Sequence, residues 1–189
     1  MNATANYTTQ NELLLNNLME FYNNEYYLNR MLKIITGESK ISLRIVDWFA
    51  TNYAKKNYTL YPITTTNGDT IRFKVYFDYK LKLKAYSKKR FDPFCRWERI
   101  SIPYKDGTSI ETTIGQLNFF KWAIENKVIE YIEENYDTIE KDMNNRNSTS
   151  KRKESVADNS KTRKKREELS ISATKSIKKE EVEIVVQFH

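Results

Sequence analysis

Between Gln10 and Ile35 the apolar residues Leu14, Leu18, Phe21, Tyr22, Leu28, Leu32 and Ile35 recur mostly at gaps of three, four and seven. That is the spacing of one helix face. Asn23-Asn24 interrupts the run and divides it into two shorter helices. Thr36-Gly37 is a stop signal, because glycine takes the left-handed cap conformation at little cost. Ser42 opens a second helical segment with Leu43, Val46, Trp48, Phe49 and Tyr53 on its inner side; a hydroxyl cap at such a start stabilises by about 1 kcal/mol. This helix ends near Asn57.

A different period follows. Phe73, Val75, Phe77, Tyr79, Leu81 and Leu83 take every second position, with Arg72, Lys74, Tyr76, Asp78, Lys80, Lys82 and Lys84 between them. Alternation of this kind predicts a long strand with one apolar face and one basic ladder. Tyr58 to Ile63 supplies a partner strand across the Asn67-Gly68 turn, so residues 58–77 read as a hairpin. Ile100 to Tyr104 and Ser109 to Ile114 make a second hairpin around Asp106-Gly107. Thr113 opens a last long helix, with Gln116 at capping-box spacing. Leu117, Phe120, Ile124, Val128, Tyr131 and Ile132 form its buried stripe, widened by Phe119 and Trp122, and it fades by Asn144.

The fold class is therefore α+β: a small antiparallel sheet of two hairpins packed with N-terminal helices and one long helix. Residues 1–10 read as disordered and residues 11–143 as the globular domain. Residues 144–169 read as a disordered basic linker, since low hydrophobicity with high charge cannot offset ordering entropy. Residues 170–189 form an extended segment in which Val182, Ile184, Val186 and Phe188 alternate as a C-terminal strand, suited to pairing with a sheet edge in this chain or in a partner.

Composition narrows the class. Only 4 Gly and 3 Pro in 189 residues argue against a turn-rich barrel or sandwich. The net charge of +7 is concentrated: residues 71–100 carry ten Lys and Arg against three Asp and Glu, and residues 151–179 carry eleven against four. Two separate basic segments make a local field that suits a polyanionic partner. No run approaches the roughly 20 apolar residues of a membrane span, so no membrane partner is expected. The single cysteine, Cys95, excludes an internal disulfide and fits a reducing compartment.

Catalytic constellations are missing from the sequence. The one histidine is His189, and there is no glycine-rich phosphate loop. Asp47, Asp78, Asp92 and Glu98 would have to converge to hold a metal, and nothing in their spacing selects them. The expectation is a binding protein, not an enzyme, with no cofactor and no metal.

The densest mixture of cations and rings is Ser87 to Arg99. Cations there would grip phosphate while rings stack on unpaired bases. The candidate nucleic-acid-binding set is Lys80, Lys82, Lys84, Lys88, Lys89, Arg90, Phe91, Phe94, Arg96, Trp97 and Arg99. The competing reading puts these rings in the core and pairs Arg96 and Arg99 with Glu98 and the acidic last helix. Charge reversal of Lys88, Lys89 and Arg90 is expected to cost more binding than reversal of Lys55 and Lys56. Cys95, flanked by cations, is either a thiol of lowered pKa or a small buried hydrophobe. A second basic set in the tail comprises Lys151, Arg152, Lys153, Lys161, Arg163, Lys164, Lys165 and Arg166. Its charge suits non-specific nucleic-acid contact, its two-cluster spacing matches a bipartite nuclear import signal, and the remaining reading is a solvated tether.

Four stretches taken together carry a resemblance: ISLRIVDWFATNYAKKN at 41–57, KAYSKKRFDPFCRWERI at 84–100, TTIGQLNFFKWAIENKVIEYI at 112–132 and TRKKREELSISATKSIKKEEVEIVVQF at 162–188. The chain resembles an uncharacterised protein family of the nucleocytoplasmic large DNA viruses, the giant viruses of protists. Heavy use of Asn, Ile, Lys and Tyr, all with A/T-rich codons, agrees. The resemblance implies expression in infected cells, with localisation to the virion or the viral factory in the host cytoplasm, or to the host nucleus. The functional expectation is a basic accessory protein that binds nucleic acid non-specifically. The alternatives are a virion structural or adaptor protein that binds a viral partner through its C-terminal strand, and a carboxylate-metal enzyme.

Overall fold

Ile114 to Glu125 is the helix around which the others pack, and its sequence says why. Leu117, Phe119, Phe120, Trp122, Ala123 and Ile124 point in every direction around the axis, and all are buried. A helix apolar on all sides has to be enclosed. The computed structural model describes residues 9–65, 67–154 and 179–180, and in it this helix, α6, is flanked by α1 (Gln10–Tyr22), α2 (Glu25–Ile35) and α5 (Val75–Arg90).

The N-terminal helices follow the apolar spacing. Thr9 and Glu12 form a reciprocal capping box that starts α1. The break falls at Asn23-Asn24, where the Asn24 side chain caps α2. Tyr22 donates its hydroxyl proton to the Leu117 carbonyl at 2.7 Å, joining α1 to α6. Gly37 stops α2 with φ +79°. Ser42 caps α3 (Leu43–Trp48), which runs through a wide π turn at Phe49–Tyr53 into α4 (Ala54–Lys56). The π turn packs against α5 and against α8 (Tyr136–Glu154).

The long strand is corrected. Pairing covers only β1 (Leu60–Thr64) and β2 (Thr70–Lys74), in register Leu60 with Lys74; from Val75 the chain is helical as far as Arg90, apart from a break at Ser87. Val75 and Tyr79 are buried, and Leu83 and Tyr86 pack half-buried behind them. Their gaps of four, four and three are helical, and a period-two ladder contains every fourth position as a subset. Propensity decides between the periods. From Tyr76 to Arg90 there is no β-branched residue, while Lys, Leu and Ala favour helix.

The second hairpin pairs β3 (Arg99–Pro103) with β4 (Ser109–Thr113), and the two hairpins form separate sheets. A two-residue β5 (Lys179–Glu180) lies on the other edge of β4. The expected strand Val182 to Phe188 lies outside the described residues.

The last long helix is also corrected, into three: α6, α7 (Val128–Glu134) and α8. At both joints an asparagine side chain, Asn126 or Asn135, donates to the carbonyl four residues back, and Lys127 turns left-handed at φ +57°. Short polar side chains compete with the helical backbone in this way. The helix does not fade at Asn144: α8 is anchored by buried Ile139 and Met143 and continues to Glu154. Once nucleated, a helix extends at a far lower cost per residue than it starts, here even through the Asn, Ser and Thr residues of 145–150.

Candidate nucleic-acid interface

The segment with the strongest sequence signal is a structural turn. Phe91 and Phe94 are 2% and 7% exposed, so neither ring can stack on a base. Phe91 packs against Tyr79, Phe119 and Trp122 in the aromatic centre of the core. Asp92, itself buried, accepts from the Phe94 amide and takes a two-pronged guanidinium bond from Arg96, both prongs at 2.7 Å. Helix α6 clamps the turn: the Gln116 amide donates to the Pro93 carbonyl, Asn118 donates to the Arg90 carbonyl, and the Asp92 amide donates to the Gly115 carbonyl. Only half of the expected capping box forms, because the Gln116 side chain is committed to this turn while its amide bonds Thr113.

The cations therefore divide. Arg96 is held by Asp92, and Arg99 pairs with Glu111 at 3.0 Å. Arg90 reaches the Gln10 side chain. Trp97 stays 43% exposed, and Cys95 is buried. The basic ladder is not a ladder: Lys80 and Lys84 share the outer face of α5, whereas Lys82 sits about 200° around the helix from Lys80. Lys88 and Lys89 follow a kink at Ser87, whose φ of +59° a side chain rarely adopts. Lys80, Lys84, Lys88 and Lys89 are exposed and make no ion pair among the described residues. The tail residues Lys161, Arg163, Lys164, Lys165 and Arg166 lie outside the described residues; Lys151, Arg152 and Lys153 lie on α8.

The structure assembles a different basic and aromatic surface, which the sequence reading did not single out. Ala54, Lys55, Tyr58, Thr59, Leu60, Lys74, Tyr76 and Phe77 line a cleft of about 390 Å³ where α4, β1, β2 and α5 meet, and none of them is acidic. Its rings are outward: Tyr58 is 78% exposed and Phe77 61%. Tyr58 holds φ +46°, unusual for a bulky residue. Lys55 places its ammonium 5.6 Å above the Tyr76 ring. Next to the cleft, Phe77, Lys80, Leu81, Leu83 and Lys84 line a shallower hollow along α5, with Leu81 65% exposed.

Among the described residues, no group of three or more His, Cys, Asp or Glu comes together to hold a metal, and no helix is long and apolar enough to cross a membrane. Asp78 accepts from the Trp122 indole at 2.7 Å. Asp47 is the unusual acid. Burial pushes its carboxyl up to about 6, with the Asp92 charge adding to the effect and Arg96 and Lys88 opposing it. Its carboxylate makes no hydrogen bond among the described residues. An unfolded carboxyl releases its proton near pH 4, so between about pH 4 and 6 the folded chain holds a proton that the unfolded chain has lost. Stability from this group therefore falls as pH rises through that window, and above it the charged form is a net cost. Asp47→Asn is expected to stabilise the fold by about 1–2 kcal/mol at pH 7 and by much less at pH 4.5. Urea midpoints of both proteins at the two pH values check this; an equal gap at both removes the assignment.

A family model described as a family of unknown function, DUF7197, matches residues 2–188. An uncharacterized protein of Acanthamoeba polyphaga mimivirus is 50% identical over 133 residues, which cover 68% of this chain and 50% of that protein. The chain thus spans half the length of the curated relative it matches. No solved structure matches.

Proposed function

We propose, from the premise that this chain belongs to the DUF7197 family, a giant-virus family of unknown function, that it binds nucleic acid without sequence preference. The observation that carries the reading is the acid-free surface running from the cleft along α5, where Lys55, Lys74, Lys80 and Lys84 alternate with Tyr58, Phe77 and Leu81. Such cations neutralise phosphates and release counterions, a gain that every nucleic acid offers irrespective of sequence. Lys88 and Lys89 extend the positive field beyond the kink. A viral genome or its transcripts are the partner this chemistry and this family context suggest.

Binding of a labelled oligonucleotide, followed by fluorescence anisotropy, tests the proposal. Affinity should fall steeply between 50 and 200 mM salt, with the log–log slope losing about 0.7–0.9 for each phosphate contact removed. The variant Lys74→Glu/Lys80→Glu/Lys84→Glu is expected to bind at least tenfold more weakly at 50 mM salt. Lys33→Glu, an exposed lysine on α2, should bind as the parent does. The comparison of Lys88, Lys89 and Arg90 with Lys55 and Lys56 is redrawn, since Lys55 lines the cleft and Lys56 is bound to Asp142 at 2.6 Å. A flat salt dependence, or no binding at 50 mM salt, ends the reading.

A further inference from the structure

We infer that the cleft between α4, the β1–β2 hairpin and α5 takes an unpaired base, so that the ligand class is single-stranded nucleic acid. The inference rests on the nucleic-acid reading above and sharpens it. A duplex hides its base faces in the stack and shows a protein only groove edges and phosphates. A helix that reads the major groove presents Arg, Asn or Gln to base edges. The outer face of α5 presents Phe77, Lys80, Leu81 and Lys84 instead, and an apolar side chain finds little beyond a thymine methyl in that groove. A single strand offers free π faces, and aromatic platforms bordered by cations are the general solution for holding it.

The cleft has those parts in the right order. Its volume, about 390 Å³, lies in the range of small-ligand pockets, roughly 300–1,000 Å³. Phe77 and Tyr58 stand exposed on its rim. Tyr76 lies beneath Lys55, its ring already engaged by a cation at 5.6 Å. Lys74 sits within the cleft and Lys80 and Lys84 continue outward along α5, so a backbone leaving the cleft meets further positive charge. Tyr58 follows the end of α4 and turns left-handed there, with the Thr59 amide donating to the Ala54 carbonyl, so the helix end leaves its ring on the cleft rim. A lipid surface would also accept apolar and basic side chains, but membrane anchors sit on one flat helix face, whereas these rings line a hollow formed by four elements.

Anisotropy with a labelled oligothymidine and with a hairpin duplex of matching length, both at 50 mM salt, separates the possibilities. The single strand is expected to bind at least tenfold more tightly. Phe77→Ala, at a solvent-exposed position, should weaken single-strand binding about tenfold and leave duplex binding unchanged; Tyr58→Ala should act the same way. Equal affinity for the two oligonucleotides, with Phe77→Ala silent on both, overturns the unpaired-base assignment while the broader nucleic-acid reading stands. Absence of binding to either overturns both. Capture by vesicles of anionic phospholipid that depends on Phe77, without oligonucleotide binding, likewise overturns both and assigns the surface to lipid.

Discussion

Gly115→Ala is expected to cost about 3 kcal/mol of stability, near the upper end of ordinary overpacking losses. A methyl group built on Gly115 would lie 2.9 Å from the Lys89 carbonyl oxygen and 3.4 Å from the Phe91 amide nitrogen. Both atoms are backbone, so no side chain can rotate aside. Relief would require α6 to withdraw from the 89–92 segment, and with it the bond from the Asp92 amide to the Gly115 carbonyl. Gly115 is buried near the N-terminus of the enclosed helix, so the displacement would pass to Gln116 and Asn118, which hold the same turn. Urea unfolding should show a lower midpoint with an unchanged slope. A thermal midpoint lower by roughly 6–12 °C should accompany it. An unchanged midpoint would mean that α6 and the turn are not in the close contact described.

Asp92→Ala is expected to be nearly as costly, about 2–4 kcal/mol. The Asp92 carboxylate is buried and accepts three bonds, one from the Phe94 amide and two from Arg96. Removing it leaves the Phe94 amide without its acceptor and the Arg96 guanidinium without its counter-charge. The outer side of Arg96 reaches solvent, which limits the loss. A double-mutant cycle apportions the effect: Arg96→Ala in the Asp92→Ala background should cost much less than in the parent, because the shared interaction is already gone. Asp92→Asn, which keeps an acceptor for the Phe94 amide, should recover part of the loss. Strict additivity of the two alanine substitutions would dismiss the pair as a stabilising unit.

These two substitutions bear on what could be read from the chain. The N-terminal helices, their caps and both hairpins were legible, because each rests on local signals: Ser42 as a cap, Asn23-Asn24 as a break, Gly37, Gly68 and Gly107 as left-handed turns. The strand reading of 75–84 failed because periods of two and four share Val75, Tyr79 and Leu83. The absence of β-branched residues after Val75 was the signal that decides between them. The site reading erred in a related way. The 87–99 stretch has the densest mixture of cations and rings, but density along the chain does not reveal burial. Phe91 and Phe94 enter the core because α6 presents Gly115, Gln116 and Asn118 to that stretch, residues more than 20 positions away. The cleft was half legible. The expected 58–77 hairpin brings Lys74 opposite Leu60 and so gathers Tyr58, Tyr76 and Phe77 at one end. What the closed hairpin leaves facing outward depends on where α4 and α5 lie against it, which no local pattern carries.

The wide turn at Phe49–Tyr53 has an effect on the lysines that follow it. A π turn holds one residue more than an α-helix would use over the same distance, and each residue corresponds to about 100° of rotation. Everything after it is dialled round by that amount. Lys55 thereby lands over Tyr76, and Lys56 lands on Asp142, which also accepts from the Trp48 indole at 3.1 Å. Winding the same sequence through that point as a plain α-helix would swing each lysine about 100° off its present bearing: Lys55 would leave the Tyr76 ring and Lys56 would leave Asp142. One supernumerary residue thus sets the compass for two charges with different duties.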